Sequence, residues 1–427
     1  MKVLWLNDSY NPTLQKGNSG YNAGGWVSAL QKEIACREDI QLAIAYISAR
    51  PEKPVTAGNT TCYAVHVKPM SRLEKFIFYY GGYKKADSQS IKTQLSAIVD
   101  DFNPDIIQVF GIEDPLAVII GETRQPVVVH LQGILAPCAN AFYPPAFNEY
   151  SFLHPFTFRE RIARNGFVFT HKHMHIRAEK EKLLFKNMKY CMGRTEWDFR
   201  VSRLLSPQSV YYHGGEALRD VFYEKAGTWR WPKNKRFTIF STVSENLYKG
   251  LDFILKTAAL LKQNSSIEFE WHIAGIGEKS ILKDFTERVT AIQTDSVKVR
   301  CLSVLSESEL AEKLLDAHVY VHPSYIDNSP NSLCEAQMLG LPVIATYVGG
   351  IPSLVANKET GYLVPANAPF ELAYLLKSIY EEPEQILGVA AKGAEVAFQR
   401  HRKDNIAEEL IENYNQIIAH HENTLHI

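Results

Sequence analysis

The sequence predicts an α/β protein made of two doubly wound parallel sheets in tandem. Three observations carry this. Short β-rich apolar runs alternate with amphipathic helical stretches, and the series runs twice along the chain. The strand candidates are apolar nearly throughout instead of alternating, the pattern of strands covered on both faces. A length of 427 residues, 46% hydrophobic, suffices for two or three domains with large cores.

In the first half the strand candidates are Val3–Leu6, Leu42–Ile47, Asp105–Phe110, Pro126–His130 and Lys189–Met192, and Tyr211–Gly215 closes the series. Helical periodicity fills the gaps, as in Asn22–Cys36 and Ser88–Asp101. A turn-rich stretch with two tryptophans, Gly227-Thr-Trp-Arg-Trp-Pro232, reads as the connection between units. The second series then starts: Arg236–Ser241, Glu268–Ala274, Val297–Leu302, Val319–His322 and Pro342–Ala345, with Gly361–Val364 as a sixth candidate. Helices such as Leu251–Gln263 and Ser306–Ala317 follow these strands, and the chain is mainly helical from Pro369 onward. In the last helix, Asp404–His420, the apolar residues Ile406, Leu410, Ile411, Tyr414 and Ile417 share one face.

Composition excludes several classes. With 46 basic against 47 acidic residues, the chain lacks the basic excess of a nucleic-acid binder. No apolar run approaches the roughly 18 residues that span a bilayer, and the opening MKVLWLNDSY turns polar too early for a signal peptide. The six cysteines stand singly, with no C-x-x-C pair, so neither a disulfide framework nor a zinc site is expected. A soluble cytoplasmic protein is the expectation.

Ligands of such sheets bind just beyond the carboxyl ends of the strands. The most informative stretch begins at one of these ends, running from His322 to Ala336 through a polar loop into a helix near Pro330 or Asn331. Asp327 and Glu335 are eight residues apart, one on the loop and one on the helix, and could accept hydrogen bonds from hydroxyls of a sugar and a ribose. The amides at the helix start, Asn331, Ser332 and Leu333, could hold a phosphate through unpaired N–H groups and the helix dipole. A solvated loop with an ordinary cap fits the spacing equally well. A second helix start at Gly349-Gly350-Ile-Pro, after the strand Leu339-Gly-Leu-Pro-Val-Ile-Ala-Thr346, makes an anion site the better reading.

Together these residues resemble the donor-site signature of family 4 retaining glycosyltransferases. The resemblance runs from Tyr248-Lys249-Gly250 through Ala274-Gly-Ile-Gly277 and the 323–350 stretch to Gly361-Tyr-Leu-Val-Pro365; it is close over the second half and loose over the first. It implies the GT-B fold: two Rossmann-like domains facing a cleft, 1–215 on the acceptor side and 216–399 binding the nucleotide-sugar. A C-terminal helix, about 400–427, crosses back to the first domain.

Carried over by position, the resemblance implies that Glu335 binds the donor ribose and Asp327 contacts the transferred sugar. Lys249 would bind the donor diphosphate and support its departure. Gly24 and Gly25, in Asn22-Ala-Gly-Gly-Trp26, resemble the glycine loop that approaches the diphosphate, and His130 falls where the family often has a histidine near the sugar. There are departures. Asp327 is one methylene shorter than the usual Glu, Ser353 stands where Glu is common, and Ser244 stands where the basic loop usually carries Arg. Losing a bidentate phosphate donor at position 244 weakens a diphosphate clamp, unless an Arg arrives from elsewhere in the cleft.

The implied reaction moves a sugar with retention from a nucleotide-diphosphate sugar, a UDP-sugar by preference, to a glycan or lipid-linked acceptor. Bacterial envelope or exopolysaccharide assembly is the implied setting. No D-x-D motif is present, so neither a metal nor another cofactor is expected. Preferences for sugar, base and acceptor are assigned to variable loops, above all 134–150. A nucleotide-sugar 2-epimerase on the same fold, or a non-catalytic partner protein, stands as the alternative.

Two segments allow peripheral contact with the inner face of a membrane, although 72–85 equally suits an acceptor groove or internal packing of Phe76, Phe78 and Tyr79. Residues 72–85 mix basic and aromatic side chains, and 159–203 holds twelve Lys or Arg against five Asp or Glu. His171, His173 and His175 raise the question of a metal, but on a helix a spacing of two makes neighbouring side chains diverge.

Overall fold

A computed structural model describes residues 1–7, 25–69, 71, 73–74, 88–145, 147, 167–233 and 236–425. Gly24, nearly all of the basic-aromatic segment 72–85, and all of 148–166 lie outside the described residues.

The first sheet has eight strands: β1 (Lys2–Leu6), β2 (Gln41–Ser48), β3 (Val55–Ala57), β4 (Thr60–His66), β5 (Ile106–Phe110), β6 (Val127–His130), β7 (Tyr190–Gly193) and β8 (Val210–His213). Their order is β3-β4-β2-β1-β5-β6-β7-β8, parallel except for the β3–β4 hairpin. The sequence pattern does not predict that hairpin, because β3 is only three residues long and exposed and β4 opens with two threonines. Its only signal is the Gly58-Asn59 turn, where Gly58 takes a φ of 61°.

β1 shows why both faces must be covered. Val3 and Trp5 enter one core, with the helix Gly25–Ala35, whereas Leu4 and Leu6 enter another, with the helix Ser88–Phe102. Period-two alternation places these four residues on opposite faces, and all are fully buried.

The second sheet has six parallel strands: β9 (Phe237–Thr242), β10 (Phe269–Ala274), β11 (Val299–Cys301), β12 (Val319–His322), β13 (Val343–Thr346) and β14 (Tyr362–Val364). Their order is β11-β10-β9-β12-β13-β14. The direction of winding therefore reverses between β9 and β12, the point at which a doubly wound sheet opens a crevice at its strand ends. Between β11 and β12 the helix Glu307–Leu315 starts in a capping box, with the Ser306 hydroxyl accepting from the Glu309 amide and the Glu309 carboxylate from the Ser306 amide.

The final helix, Lys403–Leu425, returns to the first sheet. Ile406, Leu410, Ile411, Tyr414 and Ile417 join Val3, Trp5 and Ile44 in one core. The Trp5 indole donates to the Tyr414 hydroxyl at 2.9 Å, and that hydroxyl donates to Gln108. Tyr414 is thus held by polar as well as apolar contacts, which fixes the helix against a particular register of the sheet.

Candidate active site

The site forms where the loop after β9 meets the loop after β12. Backbone geometry brings them together. Gly250, following Lys249, has a φ of 80°, and a Cβ there would lie 2.1 Å from the Pro323 carbonyl oxygen. Gly349, after β13, has a φ of 52°, and its Cβ would lie 1.9 Å from the Asp327 carbonyl. Only glycine permits both the left-handed backbone and the close approach. The Tyr325 amide donates to the Tyr248 carbonyl at 2.7 Å and the Gly350 amide to the Asp327 carbonyl at 2.9 Å, tying the three loops into one wall.

Within this wall Lys249 Nζ lies 2.6 Å from Asp327 Oδ2. The same oxygen is 3.0 Å from His322 Nε2 and 3.3 Å from the Ser324 hydroxyl, while Oδ1 has no partner among the described residues. Burial would raise the Asp327 pKa, but Lys249 and His322 overcome that and hold it well below the usual carboxylate range. For Lys249 burial works downward, and Asp327 more than reverses it, so the ammonium stays charged. The lysine side chain keeps 22% exposure, enough to meet a ligand.

The helix Asn331–Leu339 starts beside this pair with Pro330 at its cap and no capping side chain. The Leu333 amide already donates to the Pro330 carbonyl at 3.0 Å, so the open amides at this start are those of Asn331 and Ser332. This narrows the three expected amide donors to two. The Ser332 hydroxyl accepts from Thr242 and from Tyr320, both at 2.8 Å, which anchors the helix start to β9 and β12. Asn331 Oδ1 is buried with no partner.

Glu335, one turn further on, is buried and held by Arg219, with Nε to Oε1 and Nη2 to Oε2 both at 2.7 Å. The sequence reading left Glu335 open for a ribose and did not foresee this fork. A cue existed: Arg219 lies in a polar segment just after the first series of strands, where a chain crossing between units must pass both sheets. Gly25 begins its helix next to this arginine, a Cβ on it falling 3.9 Å from Arg219 Cδ. The structure thus brings Gly25, Arg219 and Glu335 together. Ser244 contributes no charge; its hydroxyl and carbonyl engage Asn246.

His130 is placed differently from its neighbours in the expected set. It is 1% exposed, with Nδ1 3.3 Å from the Gln108 amide and Nε2 3.2 Å from the Gly214 carbonyl. It packs edge-on to Trp26 and stacks on Phe110, and burial, reinforced by Arg194, pushes its pKa down to about 3. Both ring nitrogens are committed, and the ring is neutral.

Further residues join the two sheets across the cleft. Thr195, after β7, donates to Asn328 Oδ1 at 2.6 Å, and Asn328 Nδ2 donates to Asp198 at 3.1 Å and the Gln132 carbonyl at 3.3 Å. The Ser329 hydroxyl donates to Glu216, which also pairs with Arg194 at 2.7 Å. Ser353 receives the Glu196 amide at 3.0 Å, an intersheet role for a residue that stands where Glu is common. Arg194 lies within the basic stretch 159–203, but sequence alone did not separate it from the solvated lysines there.

His171 and His175 fall on one face of the helix Phe167–Asn187, with their Nε2 atoms 2.9 Å apart. Among the described residues no group of three or more His, Cys, Asp or Glu is arranged to hold a metal, and no helix is long and apolar enough to cross a membrane.

Comparison with known proteins agrees with this architecture. Residues 234–382 match the family described as Glycosyl transferases group 1. The chain is 29% identical over 175 residues to a D-inositol 3-phosphate glycosyltransferase of Pseudarthrobacter chlorophenolicus, covering 40% of this chain and 41% of that protein. It is 26% identical over 164 residues to the amylovoran biosynthesis glycosyltransferase AmsK of Erwinia amylovora, covering 36% and 39%. The matched segment thus spans about two fifths of these relatives.

Solved structures resemble the whole chain. A sucrose-phosphate synthase from Thermosynechococcus elongatus superposes with a TM-score of 0.69 over 98% of this chain and 99% of that one, at 15% identity. Anabaena HepE in complex with UDP and glucose gives 0.61 over 97% and 100%, at 14% identity. The fold is GT-B, and within its second unit residues 234–382 are similar to Glycosyl transferases group 1.

Proposed function

We propose that this protein is a retaining glycosyltransferase that takes a nucleotide-diphosphate sugar, a UDP-sugar by preference, and transfers the sugar to a glycan or lipid-linked acceptor. Bacterial envelope or exopolysaccharide assembly is the proposed setting. The observation that carries this reading is the Lys249–Asp327 pair at the switch point of the second sheet, beside an uncapped helix start and one helical turn from Glu335.

Each part has a chemical task. As the bond from the sugar C1 to the diphosphate breaks and the acceptor oxygen bonds to C1, negative charge grows on the departing phosphate, which takes up the proton that the acceptor hydroxyl gives up. Lys249 and the amides of Asn331 and Ser332 stabilise that charge where water is scarce. Asp327 sets the lysine head in place through Oδ2 and offers Oδ1 to a hydroxyl of the transferred sugar. Glu335, kept in position by Arg219, accepts from the ribose hydroxyls. These groups supply fixed positive charge and oriented dipoles from the chain itself, in keeping with a metal-independent reaction. The Asn328 and Ser329 contacts hold the first unit over the site and exclude water that would hydrolyse the donor.

The test is to incubate the pure protein with UDP-, GDP-, ADP- and TDP-sugars and follow release of the nucleoside diphosphate, with and without candidate glycan acceptors. The anomeric configuration of the product is then read by NMR. Diphosphate release from one donor class, with retained configuration, is the expected outcome. No release from any donor would overturn the reading.

A further inference from the structure

The donor site as built lacks a guanidinium at position 244, yet Arg219 stands between two of its elements. The side chain is 13% exposed and its Nε and Nη2 atoms are spent on the two oxygens of Glu335, both at 2.7 Å. A guanidinium has five N–H donors in a rigid plane, so the edge formed by Nη1 and the second Nη2 hydrogen is still free to form bonds. Nη1 has no hydrogen-bond partner among the described residues. The plane is held by Phe222, whose ring centroid lies 5.0 Å from Cζ. The beginning of the helix Gly25–Ala35 lies beside the arginine stem, a Cβ on Gly25 falling in ordinary contact at 3.9 Å from Arg219 Cδ.

We infer that Arg219 binds two partners at once: one edge fixes the Glu335 carboxylate, and the Nη1 edge takes a phosphate oxygen of the donor diphosphate. The guanidinium absent at Ser244 is thereby supplied from the segment that connects the two sheets. This rests on the nucleotide-sugar reading above. Its consequence is that ribose recognition and diphosphate recognition share one side chain, so a donor is read as a unit and neither a free nucleoside nor free phosphate gains the full contact.

Calorimetric titration separates the possibilities. The wild-type protein is titrated with UDP, GDP, ADP and TDP and with the matching nucleosides, and the diphosphate that binds is carried forward. In Arg219→Lys, which keeps a charge near Glu335 but loses the second edge, affinity for the diphosphate is expected to fall about tenfold or more while affinity for the nucleoside changes about threefold or less. Equal loss for both ligands, or no loss for either, would overturn the inference and leave Arg219 as a support for Glu335.

Since the lysine variant could disturb folding, a second comparison uses inorganic pyrophosphate, which has no ribose and does not report on Glu335. The double variant Arg219→Met/Glu335→Gln, which leaves no buried unpaired charge, should bind pyrophosphate about tenfold more weakly than Glu335→Gln alone. Equal pyrophosphate affinity would overturn the inference. If the wild type binds none of the diphosphates, the donor reading itself falls, and the inference with it.

Discussion

Lys249 and Asp327, from loops 78 residues apart, meet at 2.6 Å, and the carboxylate oxygen that receives the lysine is also the one nearest His322. Three side chains converge on a single oxygen, which leaves the other oxygen of Asp327 for a ligand. Removing the charge of Lys249 should act on rate and stability separately. Lys249→Met is expected to lower kcat by about 10²–10³. It should also destabilise the fold by about 3–5 kcal/mol, because Asp327 loses its main counter-charge. Lys249→Met/Asp327→Asn should recover the melting temperature and not the activity. Activity within tenfold of wild type in the single variant would remove Lys249 from the site.

Glu335 is buried and its pairing is double-sided, so its replacement has two effects. Glu335→Gln should weaken nucleotide binding at least about tenfold by removing a charged acceptor for the ribose. It should also lower the melting temperature, because Arg219 is left with a neutral partner. Unchanged nucleotide affinity in a folded Glu335→Gln protein, measured by calorimetry, would exclude the ribose role.

Asn328 makes its side-chain bonds to Thr195 and Gln132, on loops of the first sheet, and to Asp198, in the first turn of the helix Glu196–Leu205. Asn328→Ala is expected to cost about 1–3 kcal/mol, since buried polar partners are left unpaired. It should also widen the protein in small-angle scattering, because these bonds help to keep the cleft closed. An unchanged radius of gyration and melting temperature would show that closure does not depend on this side chain.

Glu113, after β5, has its Oε2 buried without a partner, and burial, with added repulsion from Glu181 and Asp114, pushes its pKa up to about 8. The folded chain keeps this proton up to about pH 8, while the unfolded chain releases it near 4.5. Between these values the folded state binds more protons, so stability falls as pH rises and levels off above about 8. Glu113→Gln should match wild type at pH 4 and be more stable at pH 8, by on the order of 1–3 kcal/mol. Some slope will remain, because burial raises Glu181 to about 7 and acts in the same direction. Equal stability of the two proteins across the range would contradict the burial of this carboxyl.

His130 is expected to stay neutral across the physiological pH range, its pKa lying at about 3. Its ring proton shifts, followed by NMR, should be flat from pH 8 to pH 5. A titration near the ordinary histidine value would show that the ring opens to solvent and could carry a proton in the reaction.

Much of this could be read from the chain itself. Parallel strands declare themselves by continuous apolar runs, and the apolar face of the last helix showed that it packs, while the family resemblance supplied the first domain as its partner. The short glycine-bearing loops could be placed because a left-handed backbone leaves a compositional mark, as at Gly250 and Gly349. What stayed hidden depended on contacts between distant segments. Arg219 looks like any polar residue until the fold sets it 2.7 Å from Glu335. Asn328 sits inside the recognised motif, but its partners lie 130 residues or more away in sequence. His130 shows the converse: its position in the chain suggested chemistry, whereas its surroundings commit both nitrogens to the core.

In the proposed reaction Lys249 and the amides at the start of the helix Asn331–Leu339 receive the diphosphate of a sugar donor. Calorimetric titration of the pure protein with UDP, GDP, ADP, TDP and CMP, with and without EDTA, tests it most directly. We expect one diphosphate to bind selectively, with an affinity indifferent to EDTA and reduced at least about tenfold in Lys249→Ala. Absence of binding by every nucleotide, in a protein shown to be folded, would contradict the claim.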